Sequence, residues 1–212
     1  MSYGVRLKDI RFSEVVNELV KKYAIESIVE TGTYFGDGST CILAKTGLPV
    51  YTIECNVARA ESARLNLRNV DNVVVFHGYS LSFRDLVSAV IMGDLEERGG
   101  VRVDFKQNAK EHYLRELVYG CPRGVEERLL PLLAENRQRQ LVFLDSAGAV
   151  GLLEAQWVLA LPEEQRKEKI LILDDINHVK HWKSVEMVKE CGFAFVDCGR
   201  FGYSVLHLNK IN

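Results

Sequence analysis

The feature that most restricts this chain is a rhythm of short apolar, β-branched runs separated by longer amphipathic stretches. The runs are Ser27–Glu30, Val50–Glu54, Val73–Phe76, Leu141–Leu144, Ile170–Leu173, Phe193–Val196 and Tyr203–Leu208. Segments this short and apolar on both faces suit the buried strands of a mostly parallel sheet. Phe12–Tyr23, with Val15, Val16, Leu19 and Val20 on one side, and Val57–Leu67 read as helices between strands. The alternation therefore predicts a Rossmann-like, doubly wound α/β sheet of seven strands with helices on both faces. Only Cys198–Gly202 separates the last two runs. A parallel connection needs roughly a dozen residues, so Phe193–Cys198 and Tyr203–Leu208 are expected to close the sheet as an antiparallel hairpin.

With 212 residues, 47% of them hydrophobic, the chain supports one domain, 1–212, with a substantial core. The segment 93–139, with Gly99-Gly100, Pro122-Arg123-Gly124 and many charges, is too long for an ordinary crossover. It is expected to be an inserted lid or partner element with some helix of its own; a decorated crossover without a role is the alternative. A net charge of −2 lacks the excess of cations that phosphate backbones attract, which argues against a nucleic-acid partner. Cys41, Cys55, Cys121, Cys191 and Cys198 form no C-x-x-C pair, as suits reduced thiols in a cytoplasmic protein. Arg6, Lys8 and Asp9 stand where a secretory leader needs an apolar run, and no stretch is long and apolar enough to span a membrane. A soluble protein without a membrane partner is expected; homodimerisation is left open.

The sequence signal richest in chemistry is Ile28-Val29-Glu30-Thr31-Gly32-Thr33-Tyr34-Phe35-Gly36-Asp37-Gly38-Ser39-Thr40, where a strand gives way to a helix. Glycines there allow a sharp turn, and a helix N-terminus offers N–H donors to a negative group. The spacing G-x-x-x-G-x-G departs from the dinucleotide pattern G-x-G-x-x-G, and a carboxylate beside a pyrophosphate would be repelled. A ligand carrying both a cation and an anion suits it better. Glu54 ends the next strand, 24 residues after Glu30, where an acid is placed to accept hydrogen bonds from ribose hydroxyls. After the fourth and fifth strands come Asp145-Ser146-Ala147-Gly148 and Asp174-Asp175-Ile176-Asn177-His178. Three carboxylates at neighbouring strand ends repel one another unless a cation or a shared proton compensates, and hard oxygen donors suit Mg²⁺ or Ca²⁺. An N-cap role for Asp174 or Asp175 is the competing reading.

The acid–glycine stretch resembles the E-x-G-x-x-x-G-x-S/T first motif of class I S-adenosylmethionine (SAM)-dependent methyltransferases. The acidic groups resemble those of the metal-dependent O-methyltransferases related to catechol O-methyltransferase, and more closely the cephalosporin-hydroxylase and macrocin-type branch. The resemblance runs from about Ile25 to Leu208 apart from the insertion. It implies that Glu30, Gly32, Thr33, Tyr34, Gly36, Gly38 and Ser39 meet the methionine end of SAM, and that Glu54 meets the ribose. Tyr79 and Ser80 would lie at the adenine, with Asp145 near the cofactor. Asp145, Asp174 and Asp175 would hold a divalent ion, with Asn177 as an outer donor. Two departures stand out: in Phe76-His77-Gly78-Tyr79-Ser80, Tyr79 stands where the family usually has the aspartate of Gly-Asp-Ser or Gly-Asp-Ala, and Ser146-Ala147-Gly148 lacks a histidine that many relatives carry there. His178 is the candidate general base, a solvated or capping histidine being the alternative.

The implied reaction is methyl transfer from the sulfonium to an oxygen of a small molecule, assisted by Mg²⁺. Two other functions compete: a non-catalytic cofactor binder on the same fold, and an NAD-dependent oxidoreductase.

Overall fold

The computed structural model describes residues 9–93, 108–120, 127–134 and 138–206. In chain order the elements are α1 (Ile10–Tyr23), β1 (Ser27–Thr31), α2 (Ser39–Ala44), β2 (Val50–Glu54), α3 (Val57–Asn66), β3 (Val73–His77), α4 (Phe83–Met92), α5 (Ala109–Gly120) and α6 (Leu129–Ala134). There follow β4 (Gln140–Leu144), α7 (Ala149–Leu159), α8 (Glu163–Arg166), β5 (Lys169–Leu173), α9 (Trp182–Glu190), β6 (Phe195–Asp197) and β7 (Gly202–Val205). The seven strands form one sheet in the order β3-β2-β1-β4-β5-β7-β6, parallel through β5 and antiparallel at β7 and β6. The expected sheet and terminal hairpin are both present. The first hairpin strand, Phe195–Asp197, is shorter than expected: the Phe193 amide donates to Val188 O at the end of α9, and the Ala194 carbonyl accepts from the Ser204 hydroxyl; residues 207–208 lie outside the described residues.

Local chemistry explains where the helices begin. Asp9 accepts from the Phe12 N–H, Asn56 from the Arg59 N–H and Ser82 from the Asp85 N–H, so α1, α3 and α4 each start on a side-chain cap. Alternate residues of each central strand then sort into two cores. Ile28, Leu141, Phe143, Ile170 and Ile172 pack with Phe12, Val16 and Leu19 of α1 and Ile42 and Leu43 of α2. Val29, Val142, Leu144, Leu171 and Leu173 face Leu86 and Val90 of α4 and Ala155 and Val158 of α7. That period of two, with helices on both sides, is the doubly wound arrangement.

Within 93–139 the described residues form two helices that belong to the core. Tyr113 and Leu117 of α5 and Leu129 and Leu133 of α6 are buried in the same cluster as Val29 and Val142. Amides of Arg128 and Leu129 donate to the carbonyls of Tyr79 and Ser80, tying the segment to the end of β3. The remaining residues of that stretch lie outside the described residues.

Lys169 opens β5 with only 1% of its surface exposed. Burial pushes its ammonium down to about 8, against the charge of Glu168. The folded state thus favours the neutral amine: stability from this group grows as pH rises between about 8 and 10.5, and is lost as pH falls through 8. Lys169→Met is expected to raise the unfolding free energy at pH 7 by about 1–3 kcal/mol, with the advantage over wild type shrinking toward pH 10. Denaturant melts of both proteins across that range check the magnitude and the sign.

Candidate functional site

The strand order reverses at β1, which has β2 on one side and β4 on the other. Chains leaving those two strand ends diverge to opposite faces and leave a crevice at the carboxyl edge, where sheets of this type bind ligands. Gly32 lies at its floor with φ +84°, a backbone region that side chains rarely adopt. A Cβ there would stand 2.6 Å from the Asp145 carbonyl oxygen. Gly36 has φ +72°, and a Cβ there would crowd Ala63 of α3, at 3.2 Å, and the Leu67 side chain just after it, at 2.8 Å. Both glycines are explained by the close approach of protein to protein.

Glu30 departs from its expected role. It is 0% exposed, and its carboxylate accepts from the hydroxyls of Ser39, Thr40 and Thr52. Thr52 gives its proton to Glu30, so the Thr33 hydroxyl donates to Thr52. Burial pushes the Glu30 carboxyl up, and the three donors partly hold it down. The side chains of Glu30, Thr33 and Ser39 therefore face into the protein, where they fasten the loop to α2 and β2; the expected ammonium contact with Glu30 has no oxygen left exposed to make it. On the opposite face of β1, the buried Glu154 accepts from Thr31 at 2.9 Å and Ser146 at 2.7 Å, with Ser80 as a further donor. Ser80 is thereby also turned inward.

Glu54 fits its expected place better. Its Oε2 accepts from the Tyr34 N–H at 2.8 Å and its Oε1 from the Asn56 N–H at 2.9 Å, which fixes the carboxylate at the end of β2 beside the glycine loop. The Cys55 thiol makes a further, long contact to Oε1, at 3.9 Å, and Oε2 keeps a second lone pair. Burial pushes this carboxyl up, partly offset by the two amides and by Arg59. Arg59 lies 5.0 Å from the Tyr34 ring centroid and makes a two-pronged bond to Glu116 of α5, at 2.8 and 2.6 Å. The inserted helix thus reaches the glycine loop through Arg59. It is also held by the Tyr79 hydroxyl, which donates to the Leu117 carbonyl, and by the Tyr113 ring, which packs on Gly148. Tyr79 is a buried anchor for α5, which replaces its expected adenine contact. Gly148 is likewise used: a Cβ there would stand 2.6 Å from Tyr113.

The structure does bring Asp145, Asp174 and Asp175 together, around Lys180. The Lys180 ammonium is hydrogen-bonded to Asp145 Oδ1 and lies 3.6 Å from Asp174 Oδ2 and 3.5 Å from Asp175 Oδ2. Arg200 adds a 2.8 Å bond to Asp174 Oδ1 and approaches Asp175 Oδ1 at 4.0 Å. Burial lowers the affinity of the Lys180 amine for its proton, but the three carboxylates reverse this and raise it above its ordinary value. Burial and the charge of Asp145 push Asp174 up to about 7, against the two cations. Among the described residues no group of His, Cys, Asp or Glu is placed to hold a metal ion. The expected Mg²⁺ role does not fit these residues, since an ammonium sits where the carboxylates converge. Neither Asp174 nor Asp175 caps α9, whose first turn follows His181.

His178 is buried, and its Nδ1 accepts from the Lys180 amide at 3.3 Å, which gives the ring a structural partner in place of the expected substrate proton. Asn177 points away from the cluster, its amide donating to the Gly199 carbonyl at 3.4 Å. His181 is fully buried against Leu144 O and Ser184 Oγ and is held neutral by burial and by Lys180. Lys180, Arg200 and Glu154 were absent from the expected site. The signal for the first two was the unbalanced charge of three neighbouring carboxylates, which demanded a cation from somewhere in the chain.

No family model and no curated protein matches the sequence. Solved structures do match. The cofactor-bound Rv0187 from MTB aligns over 98% of this chain and 85% of its own, with 18% identity and a TM-score of 0.58. An inferred O-methyltransferase from Klebsiella pneumoniae aligns over 96% of this chain and 84% of its own, with 16% identity and a TM-score of 0.54. The fold is that of the class I methyltransferases. On such a fold the crevice beside Gly32 and Glu54 is the place to look for a ligand.

Glu30→Ala separates the two roles considered for that residue. Removing the common acceptor of three buried hydroxyls is expected to lower the unfolding free energy by about 2–4 kcal/mol in urea melts. Unchanged stability with weakened cofactor binding would return Glu30 to the ligand.

Proposed function

We propose that this chain binds SAM and transfers its methyl group to an oxygen of a small-molecule acceptor. The observation that carries the reading is Glu54, whose carboxylate is held by two backbone N–H groups at the end of β2, beside the glycine loop at the point of strand reversal. The lone pair left on Oε2 suits a ribose hydroxyl. The backbone of 32–38 suits the methionine end, and Asp145 borders the crevice from β4. Similarity to proteins described as O-methyltransferases supports the transferred group.

The cofactor supplies an electrophilic methyl on its sulfonium. The protein's share is to position the partners and exclude water. Glu54 and the loop amides fix the cofactor; α5, anchored through Tyr79 and the Arg59–Glu116 pair, covers the flank of the crevice. Asp145, at the end of β4, borders the crevice with its charge balanced by Lys180. A near-neutral charge supports a small-molecule acceptor over a nucleic acid, and in the described residues no helix is long and apolar enough to cross a membrane. A cytoplasmic location is consistent with the free thiols of Cys41, Cys55, Cys191 and Cys198.

A second reading, a cofactor binder without turnover, is favoured by one observation: the ring of His178 is buried and its Nδ1 is already taken by a backbone amide. The two readings share the cofactor site.

Calorimetry with S-adenosylhomocysteine tests it. Binding is expected to the wild type, and Glu54→Ala is expected to weaken it by about 1–3 kcal/mol through loss of a charged acceptor. A folded Glu54→Ala protein with unaltered affinity removes the assignment. Methyl release from labelled SAM across a panel of hydroxylated compounds then divides enzyme from binder.

A further inference from the structure

We propose that Lys180 is the resident cation of the Asp145–Asp174–Asp175 cluster, standing where a divalent ion would otherwise sit, so that this site neither recruits a metal nor selects its acceptor by chelating adjacent oxygens. The inference rests on the methyltransferase reading only for the identity of the acceptor; the occupancy of the cluster stands on geometry.

Four observations carry it. The Lys180 ammonium is hydrogen-bonded to Asp145 and lies within 3.6 Å of both Asp174 and Asp175. An ammonium has three N–H donors, and three carboxylates surround it. The lysine is 5% exposed, so these carboxylates are its surroundings in place of water. Asp175 adopts φ +47°, an unusual conformation for a residue with a side chain, and strain of that kind persists only where the surroundings hold it. Its carboxylate is paired with Lys180 on one oxygen and approached by Arg200 near the other. A divalent ion among the same oxygens would have to displace the ammonium or lie against it, and Arg200 already takes Asp174 Oδ1.

The consequence concerns the acceptor. A metal draws in two neighbouring oxygens by offering open coordination positions. An ammonium hydrogen-bonded to Asp145 and ion-paired with Asp174 and Asp175 offers none. Acceptors are therefore expected to be chosen by shape and by single hydrogen bonds at the crevice, and a catechol-like pair of hydroxyls gains no special advantage.

The test uses the full chain, treated with chelator and dialysed. Wild type titrated with Mn²⁺ alone is expected to give no saturable heat, and its Tm is expected to be the same in Mn²⁺ and in chelator. Lys180→Arg retains a cation and should behave likewise. Lys180→Met empties the cluster and is expected to bind Mn²⁺ at least about tenfold more tightly than wild type, with a Tm that rises in the metal. Saturable Mn²⁺ binding by wild type that disappears in Asp174→Asn overturns the proposal, as does a folded Lys180→Met that gains no affinity. If Lys180→Met fails to fold, the wild-type and Asp174→Asn titrations decide alone. S-adenosylhomocysteine titrated into the same samples reports on the cofactor reading separately: its failure to bind would remove that reading and leave the metal result standing.

Discussion

The carboxyl edge of this sheet is organised by the cost of taking carboxylates out of water. Glu30, Glu54, Asp145, Glu154, Asp174 and Asp175 all lie there, and burial pushes each of them up. An unpaired buried charge is expensive, so each carboxylate dictates its neighbours. The chain answers in three chemistries. Hydroxyls surround Glu30 and Glu154, backbone amides hold Glu54, and cations balance the aspartates. The answers differ in consequence. Hydroxyls and amides fix geometry, and a lysine fixes charge as well.

That division explains how the loop at the strand reversal is built. β1 carries a buried glutamate partner on each face, Glu30 itself on one and Glu154 through Thr31 on the other. Between them the chain turns at Gly32, with the Asp145 amide donating back to the Thr31 carbonyl. The crevice floor is thus pinned from both faces before any ligand arrives. Glu54 is fixed at the end of β2 chiefly by two main-chain donors, one on each oxygen, beside the glycine loop. Preorganisation of this sort lowers the ordering cost when a ligand binds.

Much of the fold was legible because it rests on local pattern. Apolar runs such as Val50–Glu54 and Ile170–Leu173 mark strands almost to the residue, and the five-residue connection at Cys198–Gly202 forces the terminal hairpin. The acidic cluster was legible for a related reason, since a strand end places its next residue at a known edge. What could not be read was which polar group each acid would meet. Glu30 finds Thr52, 22 residues away, and Thr31 finds Glu154, 123 residues away; such pairings depend on how helices pack on the sheet. Tyr79 illustrates the same limit: its hydroxyl partner is a carbonyl in the inserted helix, which no spacing near position 79 discloses.

Helix α5 changes what the edge can do. In a bare doubly wound sheet the mouth of the crevice is open on the side of β3 and β4. Here α5 is fastened to the edge by contacts from three different elements: Tyr79 after β3, Arg59 of α3, and Gly148 before α7. Two of those residues, Tyr79 and Gly148, are the positions at which the sequence departs from the methyltransferase pattern. Both departures serve the attachment of one helix, and the cation at Lys180 likewise replaces a diffusible ion with a side chain. In each case the edge is completed by the protein's own packing: Tyr79 and Gly148 seat α5, and Lys180 balances the aspartates.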